Sequence, residues 1–97
     1  MFSDMDQLIE MAKTGDMLKV SVAQAEDKTV LKSLKKAYEE KIAEPILIGS
    51  KEKIEQTLRE IDFTADVEIV DSRSSEESAY KAMQMVEEGK AEIPMKG

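Results

Sequence analysis

Ninety-seven residues allow one small domain with a modest core, and 14 basic residues against 21 acidic ones give a net charge of −7, which disfavours sequence-independent binding to the nucleic-acid backbone or to anionic lipid. The sequence contains neither Cys nor His, which removes disulfides, thiolate nucleophiles, imidazole bases and the usual zinc ligand sets. No apolar run reaches the length of a membrane span, and Asp4, Asp6 and Glu10 interrupt any signal-peptide core, so the expectation is a soluble cytoplasmic protein.

Ser3 opens the first predicted element, with Asp6 three residues on in a capping-box arrangement. Met5, Leu8, Ile9 and Ala12 fall on one helical face and Gly15 is a C-terminal stop, so the stretch reads as an amphipathic lead-in helix. Its structural reading is packing against the sheet. The functional alternative is a partner-binding helix.

Leu18 to Ala23 alternates β-branched and small residues and reads as the first strand, with Leu18, Val20 and Val22 on one face. The helix that follows carries Val30, Leu31, Leu34, Ala37, Tyr38 and Ile42 as its apolar stripe, and Asp27 is its natural N-cap. The capping role explains Asp27 without a catalytic one. Glu26, at the carboxyl edge of the strand, is a candidate substrate-binding residue whose plain alternative is a solvated loop acid.

Pro45 to Gly49 is a nearly continuous apolar run, as in parallel strands covered on both faces, and a proline suits its first position. Ser50 caps the next helix, whose core face is Ile54, Leu58 and Ile61. A Gly-Ser pair before a helix could cradle a phosphate on backbone N–H groups, but without further glycines Gly49 reads as a turn residue.

Val67 to Val70 is the third strand, and Glu68 within it points to a place near the sheet edge. Asp71 to Ser75 leads into a helix with Ala79, Ala82, Met83 and Val86 on one face, Gly89 at its end, and Ser74 with Glu77 as a capping box. Arg73, among three serines on the presumed ligand side, is a candidate to hold a phosphate with its guanidinium fork. The alternative is a solvated cation balancing Asp71.

Ala91 to Gly97 closes the sequence as a short buried strand ending in a cation and a glycine. In an open α/β sheet the ligand cleft lies beyond the carboxyl ends of the strands, which would place Lys96 and Gly97 at its lip. The ammonium offers a point charge to phosphate, and the glycine lets backbone approach a ligand. Strands alternating with helices predict a parallel sheet covered by helices, a three-layer α/β/α domain over residues 1–97. Strand order is not readable from the pattern.

The residues also carry a resemblance. Met11-Ala12-Lys13, Val20-Ser21-Val22-Ala23 running into Ala25-Glu26-Asp27 with Val30-Leu31 behind it, Glu44-Pro45-Ile46-Leu47-Ile48-Gly49, Val67-Glu68-Ile69-Val70-Asp71, Gly89-Lys90-Ala91 and the final Met95-Lys96-Gly97 together resemble the phosphate acetyl/butyryltransferase family, its butyryltransferase branch above the acetyltransferase one. The resemblance implies an enzyme that exchanges coenzyme A for inorganic phosphate on a short acyl group, butanoyl-CoA and phosphate giving butanoyl phosphate and coenzyme A. It also implies a cytoplasmic homo-oligomer without a redox cofactor, coenzyme A being a substrate, with no nucleic-acid or membrane partner. The fold it implies resembles the first part of the isocitrate and isopropylmalate dehydrogenases.

Members of that family run to about two domains. Their catalytic serine, arginine and aspartate would fall after Gly97, so no catalytic residue and no metal ligand is carried over, and this chain is expected to be the inactive N-terminal portion of a longer two-domain enzyme. Met95, Lys96 and Gly97 match family positions near the cleft, and Glu26 and Asp27 do so more weakly. With Arg73 from the loop reading, the candidate substrate-binding residues are Lys96, Gly97, Met95, Glu26 and Arg73. The alternative from another class is a free-standing noncatalytic α/β module binding an anionic small molecule or a partner protein.

Overall fold

A computed structural model describes residues 17–97. The lead-in helix expected over Ser3 to Gly15 lies outside the described residues. Within them the order is β1 (Leu18–Ala23), α1 (Lys28–Glu39), β2 (Ala43–Gly49), α2 (Lys51–Glu60), β3 (Glu68–Asp71), α3 (Ser75–Glu87) and β4 (Ile93–Lys96). The strands form one parallel sheet in the order β3-β2-β1-β4, with Val20 opposite both Pro45 and Ile93. The three-layer α/β fold expected from the alternation is therefore what forms.

The layers follow from side-chain alternation along the strands. Val20 and Val22, with Leu47, Ile93 and Met95, face α1 and α2 and pack with Leu31, Leu34, Ile54 and Leu58. Ala23, Ile46 and Ile48 face the other way and meet Ala82 and Met85 of α3. Each fully buried Leu or Ile stabilises the fold by roughly 1.5–3 kcal/mol relative to an exposed one. Ser21, wholly buried on the α3 face, is satisfied by donating its hydroxyl to the Ala82 carbonyl at 2.8 Å.

The chain steps outward from β1 to β2 to β3 with α1 and α2 on one face, then returns along the other face through α3 to place β4 on the far side of β1. Right-handed crossovers require this change of face when the direction of winding reverses.

Capping is as the side chains dictate. Asp27 accepts from the Val30 N–H at 3.1 Å, Ser50 from Lys53 at 3.5 Å and Ser74 from Glu77 at 3.1 Å. Only the serine half of the expected Ser74–Glu77 box forms, because the Glu77 carboxylate lies 3.2 Å from Lys81. All three helices end in the same double-bonded turn. Ile42 donates to Ala37, Phe63 to Leu58 and Lys90 to Met85, with Lys41, Asp62 and Gly89 in left-handed conformation just before them.

These C-terminal turns shift several predicted boundaries. Ile42 packs against the core from beyond α1, Ile61 is the C-cap of α2, and β2 begins at Ala43, two residues before Pro45. β3 runs one residue later than expected and β4 is confined to Ile93–Lys96. The buried face of α3 is Ser78, Ala82 and Met85, whereas Met83 is 43% exposed.

Candidate functional site

Because the direction of winding reverses between β1 and β4, the carboxyl ends of these two strands form a topological switch point, the position at which open α/β sheets bind ligands. Two adjoining clefts open there. One, of about 230 Å³, lies between the loops after β2 and β3 and is lined by Glu26, Gly49, Ser50, Lys53 and the run Ser72 to Ser75. The other, of about 240 Å³, lies over the tips of β1 and β4 and is lined by Ala23, Glu76, Ala79 and Lys96. Gln24 and Ser75 line both.

The parallel pairing brings Lys96 to this rim opposite Ala23, on the α3 side of the sheet, and leaves it exposed. Arg73 is exposed in the neighbouring cleft, as a solvated cation would be, and the contacts of Asp71 are with other residues. The Asp71 carboxylate accepts from the Lys51 N–H at 3.0 Å and its carbonyl from Lys81 Nζ at 2.8 Å.

Glu26 lines the first cleft and is not a free, solvated loop acid. Half-buried, it accepts from the Ser50 N–H at 3.2 Å and so braces the β1–α1 loop against the start of α2. This contact explains Gly49. The residue is not a positive-φ turn glycine, but any Cβ there would collide with the Glu26 carboxylate. With Glu26 on Ser50 and Asp71 on Lys51, two carboxylates already occupy N–H groups at the start of α2, so the Gly-Ser phosphate cradle considered from sequence does not form there.

Gly97 also has a different reason from the one expected. Its N–H donates to the Ala23 carbonyl at 2.7 Å, and a Cβ would lie 2.5 Å from the Gln24 carbonyl. The backbone that approaches Gly97 closely is thus the β1–α1 turn. Met95 is 4% exposed with its side chain in the core beneath α1 and α2, so it orders the strand that presents Lys96 and does not itself face the cleft.

Sequence reasoning missed Gln24, Lys53, Ser72 and Ser78. Ser72 and Ser78 are buried and hydrogen-bonded to each other through their hydroxyls at the floor of the first cleft. Gln24 has a φ of 54°, a left-handed backbone that costs a non-glycine residue about 1–2 kcal/mol. No residue pattern announces such a conformation. A Ser-x-Ser-Ser run before a helix would have signalled the polar floor, had it been weighed as a surface and not only as a cap.

A larger depression of about 460 Å³ lies along the outer side of α2, lined by Lys51, Glu52, Glu55, Arg59 and Asp71. It shares Ser50 with the first cleft, includes no residue of β1 or β4, and mixes three carboxylates with two cations. The switch-point crevice, where every strand end converges, is the better candidate.

A family model described as Phosphate acetyl/butaryl transferase matches residues 3–97. The phosphate butyryltransferases of Clostridium beijerinckii and Clostridium acetobutylicum are each 35% identical over 98 aligned positions, covering 100% of this chain and 32% and 33% of theirs. The phosphate acetyltransferase of Thermotoga maritima is 32% identical over 94, covering 96% of this chain and 31% of its own. The chain thus spans about a third of the length of these relatives.

Proposed function

The chain belongs to the phosphate acetyl/butyryltransferase family, and from that membership we propose that the protein moves a short acyl group, butanoyl in the first instance, between coenzyme A and inorganic phosphate. A phosphate oxygen attacks the thioester carbonyl carbon, the tetrahedral oxyanion collapses, the C–S bond breaks, and coenzyme A departs as a thiolate that takes up a proton. Butanoyl phosphate is the other product. The butanoyl preference is supported by two butyryltransferases at 35% identity against an acetyltransferase at 32%.

The observation that carries the reading is the match along nearly the whole chain, and the crevice is consistent with it. Phosphate attack needs an anion held in line and a positive site for the developing oxyanion. Lys96 and Arg73 in adjoining clefts give this chain a cationic pair suited to holding phosphate or the phosphates of coenzyme A. Glu26, which lines the Arg73 cleft, ties the β1–α1 loop to the start of α2, and Gly97 ties the end of β4, beside Lys96, to β1. The sequence has no His or Cys, the carboxylates of Glu26, Asp27 and Asp71 are engaged with helix N–H groups, and the chain spans about a third of its relatives. We therefore assign the catalytic acid, base and oxyanion groups to the remainder of a two-domain, cytoplasmic, homo-oligomeric enzyme, with coenzyme A a substrate and no redox cofactor.

The test is acyl phosphate formation from butanoyl-CoA and phosphate, trapped as the hydroxamate. The full-length protein should turn over and the 97 residues alone should not. Lys96→Ala should raise a substrate KM several-fold with an unchanged Tm, since the side chain is exposed. A full-length protein that binds phosphate without any turnover would instead be the noncatalytic anion-binding module.

A further inference from the structure

Three residues other than glycine adopt positive φ among the described residues: Gln24, Lys41 and Asp62. Lys41 and Asp62 stand immediately after the C-caps of α1 and α2, where a left-handed residue closes the helix. Gln24 ends no helix. It sits between β1 and α1, and the chain is pinned on either side of it, the Ala23 carbonyl accepting from Gly97 and the Ala25 N–H donating to Ile48 at 3.0 Å. The absent Cβ of Gly97 leaves room for the Gln24 carbonyl.

Glycine would adopt this backbone freely, so a carboxamide carried on it at the switch point calls for a reason. Its position supplies one. Gln24 lines both the cleft that holds Arg73 and the cleft that holds Lys96. We propose that Gln24 is a substrate-contacting residue whose carboxamide, a neutral donor and acceptor on a residue shared by the cleft of Arg73 and Lys53 and the cleft of Lys96, hydrogen-bonds the uncharged amide-bearing arm of an extended anionic ligand. The transferase reading supplies only the name of that ligand, an acyl-coenzyme A, whose arm carries amides between its phosphates and its thioester.

The chemistry makes a specific demand. A carboxamide can give and accept one hydrogen bond to an amide simultaneously, which a carboxylate, an ammonium or a hydroxyl cannot match in the same geometry. Losing such a pair costs about tenfold in affinity.

The experiment compares Gln24→Gly, which keeps the backbone and removes the carboxamide, with Gln24→Asn, which keeps a shorter one. Coenzyme A and adenosine 3′,5′-bisphosphate, which lacks the amide arm, are titrated calorimetrically into the full-length protein. Gln24→Gly should keep its Tm, weaken coenzyme A about tenfold, leave the bisphosphate within twofold, and raise the acyl-CoA KM with little change in kcat. Gln24→Asn should fall between.

Weakening of coenzyme A by less than threefold, or equal weakening of both ligands, overturns the assignment. If Gln24→Gly does not fold, the same thresholds are read on Gln24→Ala, which also removes the carboxamide. Wild-type turnover is scored separately. An active protein whose variant binds as the wild type does refutes the role of Gln24 alone, an inactive one whose variant still loses coenzyme A refutes the transferase reading alone, and a wild type that neither turns over nor binds refutes both.

Discussion

The Glu26 carboxylate accepts from the Ser50 N–H across 24 residues, and it stands where a Cβ on Gly49 would have to go. No local periodicity reports such a pairing. A buried or half-buried carboxylate accepting from a backbone N–H contributes about 1.5–3 kcal/mol, part of which is recovered when the displaced side chain finds water. Gly49→Ala should therefore destabilise by about 1–2 kcal/mol, a fall in Tm of several degrees for a domain of this size. In a Glu26→Ala background the same substitution should cost much less, because the colliding carboxylate is gone, and a thermal-melt double-mutant cycle measures the difference. Additive effects would mean that Gly49 is required for its own backbone and not for Glu26. The positions of Lys96 and Arg73 at the rim, by contrast, are legible in the sequence, since a cation at or just past a strand end needs only the correct strand direction to reach it.

At the scale of elements, the helices and strands among the described residues match expectation in number, order and type, because capping residues and apolar spacing are local signals. The buried stripe of α3 agrees in part. Ala82 is buried and Val86 packs against the core as the spacing predicts, but Ser78 takes a core position, hydrogen-bonded to Ser72, and Met85 is buried in place of the expected Met83. A polar residue satisfied by a distant partner looks like a surface residue in sequence. The two stripes predict opposite results for these methionines. Urea unfolding should show Met85→Ala losing about 2–4 kcal/mol, as core truncations do, while Met83→Gln stays within about 0.5 kcal/mol. A large loss at Met83 and none at Met85 would restore the stripe expected from hydrophobicity.

For the molecule as a whole, the parallel sheet was legible and the strand order was not. Alternating elements dictate parallel pairing, yet nothing in Ile93 to Lys96 says that its partner is β1 and not β3. The order observed makes β1 and β2 the two interior strands and β3 and β4 the edges, and β3 is only half-covered along its length. Amide exchange should follow that division, slowest in Val20–Ala23 and Ile46–Ile48 and faster in Glu68–Asp71. Equal protection of all four strands would contradict the order β3-β2-β1-β4.

That order also has a consequence in time. β1, β2 and β3 are linked by consecutive crossovers and can assemble once β3 has left the ribosome, whereas the second neighbour of β1 is the last of the four strands to follow. Until Ile93 to Lys96 emerges, one full flank of the central strand stands with its hydrogen-bonding groups unmet, a template for any passing extended segment. The slow, long-range closure of that flank by β4 is the moment at which a nascent chain of this design is most exposed to mispairing, and it is also the moment at which the ammonium of Lys96 first reaches the rim.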